Sequence, residues 1–191
     1  MEGIFMDHPV RELMEEHRLI ERVLSEVERR LPAEGEFPAA FLEQALDFFV
    51  NFADGCHHFK EEQALFPALS RAGVPVEGGP IGVMLADHRF GRSCIGAIRD
   101  SLPAARLGDA DAIRTIRMHA LDYVDMLRRH IGKEDHVLFQ LAQHLLSEDE
   151  VAKIGRNFRD PSNPRISPEI RRRYERMVEE MEAVSATEPQ R

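Results

Sequence analysis

Residues 55–69 read GCHHFKEEQALFPAL, two adjacent histidines and two adjacent glutamates set in an otherwise apolar run. A helix turns roughly 100° per residue, so not all four can face the same way. With His57 as reference, Leu46, Val50, Ala53, Ala64 and Ala68 fall within roughly 40° of it, and Glu61 lies at roughly 40°. This phase puts His57 and Glu61 in the apolar stripe. It puts His58 beside Asp47, Asn51 and Asp54 on a wet face, with Glu62 further round, so His58 and Glu62 are expected behind the inward pair or at the surface.

The same device recurs at 129–139, RHIGKEDHVLF. Tyr123, Met126, Val137 and Leu141 share a face with His130, and Glu134 joins it four residues on. Two further segments each aim one histidine inward: His17 among Leu13, Ile20 and Leu24, and His88 among Ile81, Met84 and Ile95. One inward histidine is an ordinary core residue bonded to a carbonyl. Six inward polar groups in one small core would cost several kcal/mol each if left unpaired. Metal ions satisfy all of them together, since imidazole and bridging carboxylates suit a pair of borderline cations.

The rest of the chain reads as helix after helix, over about 10–31, 38–71, 80–102, 109–146, 148–157 and 167–182, with Pro- and Gly-rich breaks between. Asp7 with Pro9, Pro80, and Ser147 with Glu150 supply start signals. No strand alternation or internal repeat is seen. Four long amphipathic helices with short links predict an all-α, antiparallel up-down-up-down four-helix bundle over residues 1–146. Residues 147–191 are expected to form a helical extension packed on it, ending in a frayed tail.

Composition narrows the function. With 191 residues the chain can bury a sizeable core. A net charge of −9, from 34 acidic and 25 basic residues, disfavours a nucleic-acid partner. No apolar stretch is long enough for a membrane span, and the acidic N-terminal stretch does not read as a secretory signal. Cys56 and Cys94 are too few for a disulfide framework and read as small core hydrophobes. A cytoplasmic protein is expected.

The set His17, His57-x-x-x-Glu61, His88 and His130-x-x-x-Glu134 resembles the hemerythrin-like, or HHE cation-binding, family. The segments ADGCHHFKEEQALFPAL, MLADHRFGR and LRRHIGKEDHVLF look like its helices, and the resemblance covers about residues 10–146. It implies a non-haem site of two iron ions, with His17, His57, His88 and His130 as terminal ligands and Glu61 and Glu134 as bridges. Zinc or manganese could fill the same ligands.

Two departures stand out. Oxygen-carrying hemerythrins have a second histidine one turn after the third-helix ligand, where this chain has Arg92. Their fourth-helix carboxylate is an aspartate five residues after the histidine, a spacing that Asp135 shares, so Asp135 rivals Glu134. Two histidines per iron would leave both metals an open position, which suits ligand binding or catalysis and counts against a simple reversible carrier.

The resemblance implies a protein that binds or reacts with dioxygen, nitric oxide or peroxide. An oxidoreductase, an iron-donating or storage protein, and a metal- or oxygen-responsive interaction module are the alternatives, and no separate acid, base or nucleophile is evident. Tyr123 reads as core, His119 as a bundle-end residue, and His8, His136 and His144 as surface or cap residues. The Arg171–Arg173 run reads as a solvated face. Arg92 either pairs with a core-edge carboxylate or guards the metals. Phe48, Phe52, Phe59 and Phe66 form a stripe opposite His57, which needs cover from the C-terminal helix or a second subunit, leaving monomer and dimer open.

Overall fold

A computed structural model describes residues 9–31 and 37–187, with side chains to 183. The described residues are helical and contain no strand. Helix α1 is Pro9–Arg30. Helix α2 runs continuously over 39–71: α-helical at Ala39–Phe48 and Phe66–Arg71, π-helical at Phe49–His58 and Glu61–Leu65. Helix α3 is Pro80–Ala105. Helix α4 covers 110–145, as Ala110–Lys133, a π-helical turn Glu134–Leu138, and Phe139–Leu145. Helix α5 is Glu148–Phe158, and α6 is Pro168–Thr187. The expected cap Asp7, His8 and the end of the tail lie outside the described residues.

The helix boundaries follow local chemistry. Asp109 caps α4, accepting the N–H groups of Asp111 and Ala112 at 2.9 Å. Ser147 Oγ accepts the Glu150 N–H at 3.3 Å and starts α5. Pro80 opens α3, where its missing N–H costs nothing. Gly108 closes it with φ +86°, a conformation that side chains resist.

The apolar core is in two parts. One gathers Leu24, Phe48, Phe52, Ile98, Ile116 and Leu127. The other gathers Leu13, Leu65, Leu69, Ile81 and Phe139. Each long helix meets both, and between them carries its buried histidine. His17 falls between Leu13 and Ile20, and His57 between Ala53 and Ala64; His88 falls between Met84 and Ile95, and His130 between Leu127 and Leu138. A polar layer thus divides the two apolar regions.

The C-terminal segment packs on α1 and α2. Tyr174, Val178 and Met181 of α6 are buried. The Tyr174 ring lies 5.7 Å from that of Phe48 and 5.6 Å from that of Phe52, and its hydroxyl donates to Asp47 at 3.1 Å. The expected phenylalanine stripe is split, however. Phe59 stays half-buried beneath Arg165, and Phe66 turns into the second core and stacks on His88 at 5.8 Å. The π-helical turns rotate the helix between these positions, so α-helical phase does not carry from Phe52 to Phe66.

Tyr174 carries the cover over Phe48 and Phe52. Tyr174→Ala is expected to lower the unfolding free energy by about 3–5 kcal/mol. Denaturant titration measures this, and binding of a hydrophobic dye should rise.

Candidate metal centre

The backbone sets the site's geometry. In each π-helical turn the hydrogen bond reaches back five residues: Phe59 N–H to Asp54 O, Phe66 N–H to Glu61 O, and Phe139 N–H to Glu134 O. Such turns advance the chain by less angle per residue than an α-helix does. The consequence is a correction at position 58. His58 does not lie on a wet face; it is 5% exposed and points into the core beside His57. The same rotation turns Val50 and Val137, expected inward, out to solvent at 41% and 51% exposure.

Two buried groups result. His17, His57, Glu61 and Glu134 form one; His58, Glu61, His88 and His130 form the other, and within each the donor atoms lie within 4.8 Å of one another. All six residues expected from the sequence come together, and His58 joins them. Glu61 spans the groups: Oε1 lies 3.5 Å from His57 Nε2, and Oε2 3.5 Å from His88 Nε2. Glu134 Oε2 lies 3.2 Å from the Nε2 atoms of both His17 and His130. The His88 and His130 Nε2 atoms are 3.2 Å apart. Two nitrogens bound at about 2.0–2.1 Å and a right angle to each other would be about 3 Å apart, so these spacings suit a shared cation.

The residues fit a metal on a second ground. His17 Nε2, His57 Nε2, His58 Nε2 and both carboxylate oxygens of Glu61 and Glu134 are buried without a hydrogen-bond partner. Close approach without hydrogen-bond geometry is what donor atoms aimed at a common ion show.

The far side of every ring is fully provided for. His17 Nδ1 donates to Asp135 at 2.7 Å, and Arg18 binds that carboxylate. His57 donates to Glu16 at 3.0 Å, held by Lys60. His58 donates to Asp54 at 3.2 Å and His88 to Glu62 at 2.7 Å, and one guanidinium, Arg92, binds both carboxylates. His130 donates to Asp87 at 3.3 Å, held by Lys133. Such carboxylate partners fix the tautomer and point Nε2 at the metal. Asp135, the rival of Glu134, therefore orients His17 from behind. Arg92 takes the role of pairing with carboxylates.

Glu16, Asp54, Asp87, Lys60 and Lys133 were missed as supports because most of their partners lie on other helices. His58 did leave a signal. It stands three residues before Glu61, close to Glu61's face, just as His57 stands four before it. His119 is half-buried; His136 and His144 are exposed and Cys56 and Cys94 are buried thiols, as expected.

Electrostatics mark which groups need a cation. Burial, with His17 close by, holds His57 well below the usual imidazole range, and burial with His88 does the same to His58; both are in the neutral, metal-binding form. Burial also pushes His17 and His130 down, but their carboxylate neighbours outweigh it: Asp135 and Glu134 raise His17 to about 9, and Glu134 and Asp87 raise His130 to about 10. Burial and the charge of Glu134 push Glu61 up. In the metal-free chain, protons on His17 and His130 stand in for the cation.

Metal uptake must displace those protons. At pH 8 it is expected to release about two protons per chain, and the release should fade as pH rises through 9 to 10. Calorimetry in buffers of different ionisation enthalpy measures it.

Comparison with known proteins places all seven of these donor residues within one matched domain. The hemerythrin HHE cation binding domain model matches residues 8–142. The uncharacterized proteins Rv1995 and MT2051 of Mycobacterium tuberculosis and Mb2018 of Mycobacterium bovis are each 29% identical over 158 residues, covering 81% of this chain. The chain spans only 61% of the length of these curated relatives. No solved structure matches it. The chain belongs to the hemerythrin HHE cation-binding domain family.

Proposed function

We propose that the chain is a non-haem di-iron protein that binds or reacts with dioxygen or a related small ligand such as nitric oxide or peroxide. The observation that carries this reading is the sharing of Glu61 and Glu134 between two buried histidine groups. His17 and His57 would hold one iron, His58, His88 and His130 the other, and the two glutamates both. When bound, the irons supply redox and ligand-binding chemistry. The protein's part is to keep the donors fixed and dry. Nδ1 bonds lock the rings, and Phe139, stacked 5.3 Å from His17, shields one end of the layer. An antiparallel up-down-up-down bundle is part of the proposal. It is supported by the alternating order in which successive long helices meet the two core regions.

The count of histidines bears on the chemistry. The expectation of two per iron rested on Arg92 replacing a ligand. With His58 the arrangement is three and two, which leaves the poorer group with fewer protein donors. Unequal sites favour ligand binding at one metal over simple iron storage. The objection to a reversible carrier drawn from Arg92 therefore falls away. No helix among the described residues is long and apolar enough to cross a membrane. Action in the cytoplasm is proposed on composition alone.

About two irons per chain are expected when the protein is purified without oxygen, and its ultraviolet-visible spectrum should change on exposure to oxygen. His57→Ala and His130→Ala should lower the metal count, and so should His58→Ala, whereas His136→Ala should not. An unchanged count in His57→Ala and His130→Ala would sink the two-metal reading. An unchanged count in His58→Ala alone would remove His58 from it.

A further inference from the structure

Gly55 stands inside the π-helical stretch Phe49–His58, three residues before His58. A Cβ at Gly55 would come 3.0 Å from the carbonyl oxygen of Val50, five residues back. The atom in the way is backbone, so no side chain can swing aside to relieve the contact. The crowding belongs to the π register and not to helices in general. Gly96 of α3, Gly132 of α4 and Gly155 of α5 stand in α-helical stretches, and a Cβ at each meets nothing within 4 Å beyond its own helical turn. A π-helical bond joins residue i to the carbonyl five residues back, so that carbonyl crowds residue i. Glycine, without a Cβ, tolerates so close an approach.

The competing register is open to the same sequence. Followed at roughly 100° per residue, Leu46, Val50, Ala53, His57, Ala64 and Ala68 form one apolar stripe, and His58 falls beside Asp47, Asn51 and Asp54. In the structure Val50 is 41% exposed and His58 only 5%. The two registers therefore differ in which of these two side chains is buried. Glycine does not impose the π register: the cluster supplies the demand, and Gly55 leaves room for it. Alanine would suit a regular helix better than glycine does.

We propose that Gly55 is a positioning residue of the metal centre. By leaving room for the Val50 carbonyl it admits the π register, which turns the His58 ring inward onto that of His88, 3.8 Å away. A Cβ at position 55 returns the segment to the α register, with His58 on the wet face and His57 still inward. The consequence for metal rests on the reading of His58 as a donor, so the place of the ring and the binding of metal are measured separately.

Gly55→Ala tests the proposal in the full-length, zinc-loaded chain, with Gly96→Ala as its control. The first measurement is modification of histidines by diethyl pyrocarbonate, located by mass spectrometry. His58 is expected to be protected in the wild-type chain and in Gly96→Ala, and to lose that protection in Gly55→Ala while His17 and His57 keep theirs. The second is zinc affinity, by competition with a chromophoric chelator. One zinc is expected to bind at least about tenfold more weakly in Gly55→Ala, as in His58→Ala, and no more weakly in Gly96→Ala. Continued protection of His58 in Gly55→Ala overturns the proposal, even if the variant is less stable, since glycine would then serve packing alone. Modification of His17 and His57 along with His58 marks general opening and also overturns it. Exposure of His58 alone, with zinc affinity unchanged, upholds Gly55 as the residue that places the ring and overturns His58 as a donor instead.

Discussion

The structure depends on one imbalance: of the seven polar side chains that meet in the interior, every histidine has its outward Nδ1 paired, while His17, His57, His58, Glu61 and Glu134 leave their inward atoms bare. Bare buried nitrogens and carboxylate oxygens cost several kcal/mol each when nothing compensates them. The histidines' outward faces carry no such cost, because each Nδ1 has a carboxylate and each carboxylate has an arginine or lysine. A site meant only to bury histidines would spread its hydrogen bonds over both ring nitrogens. Here the protein completes one side and leaves the other to a cation. The two apolar regions above and below the layer supply the burial that offsets the cost.

That constraint explains where the helices depart from ideal form. Helices α1 and α3 each give one histidine to the layer and are regular. Helix α2 gives His57, His58 and Glu61, and α4 gives His130 and Glu134; these two contain the π-helical turns. In a regular helix consecutive residues point roughly 100° apart, which works against turning both His57 and His58 into one buried layer with Glu61. A turn with bonds five residues back makes room, and such turns recur at functional sites. The backbone distortion and the number of donors on a helix therefore go together.

The helices and the six donors could be read from the sequence because both follow simple periodicity. Pro80, Asp109 and Ser147 mark helix starts by local chemistry, and His17 and His88 sit among regular apolar neighbours. His58, Val50 and Val137 were misplaced for one shared reason: a period of 3.6 was extended through turns that do not have it. No residue type in 49–58 announces a π-helix; the distortion comes from tertiary demand at the cluster. Two of the outer carboxylates, Glu16 and Asp87, were illegible for another reason. Glu16 holds His57 across 41 positions of sequence, and Asp87 holds His130 across 43. Such pairs depend on how helices face one another, which no single helix encodes.

The support behind the rings is not equally sheltered. Behind His57, Glu16 is bound by Lys60, itself only 3% exposed, with the Phe158 ring of α5 5.3 Å from its ammonium. The C-terminal segment thus packs against Lys60 as well as covering Phe48 and Phe52, while a cavity of about 290 Å³ lined by Glu16, Arg18 and Arg171 stays open between α1 and α6. Behind His58 and His88 the support is Arg92, whose side chain is 42% exposed. The extension shelters Lys60 by direct contact, whereas the outer supports Arg18, Arg92 and Lys133 stay 56%, 42% and 41% exposed, so of these cations only the one behind His57 is withdrawn from water.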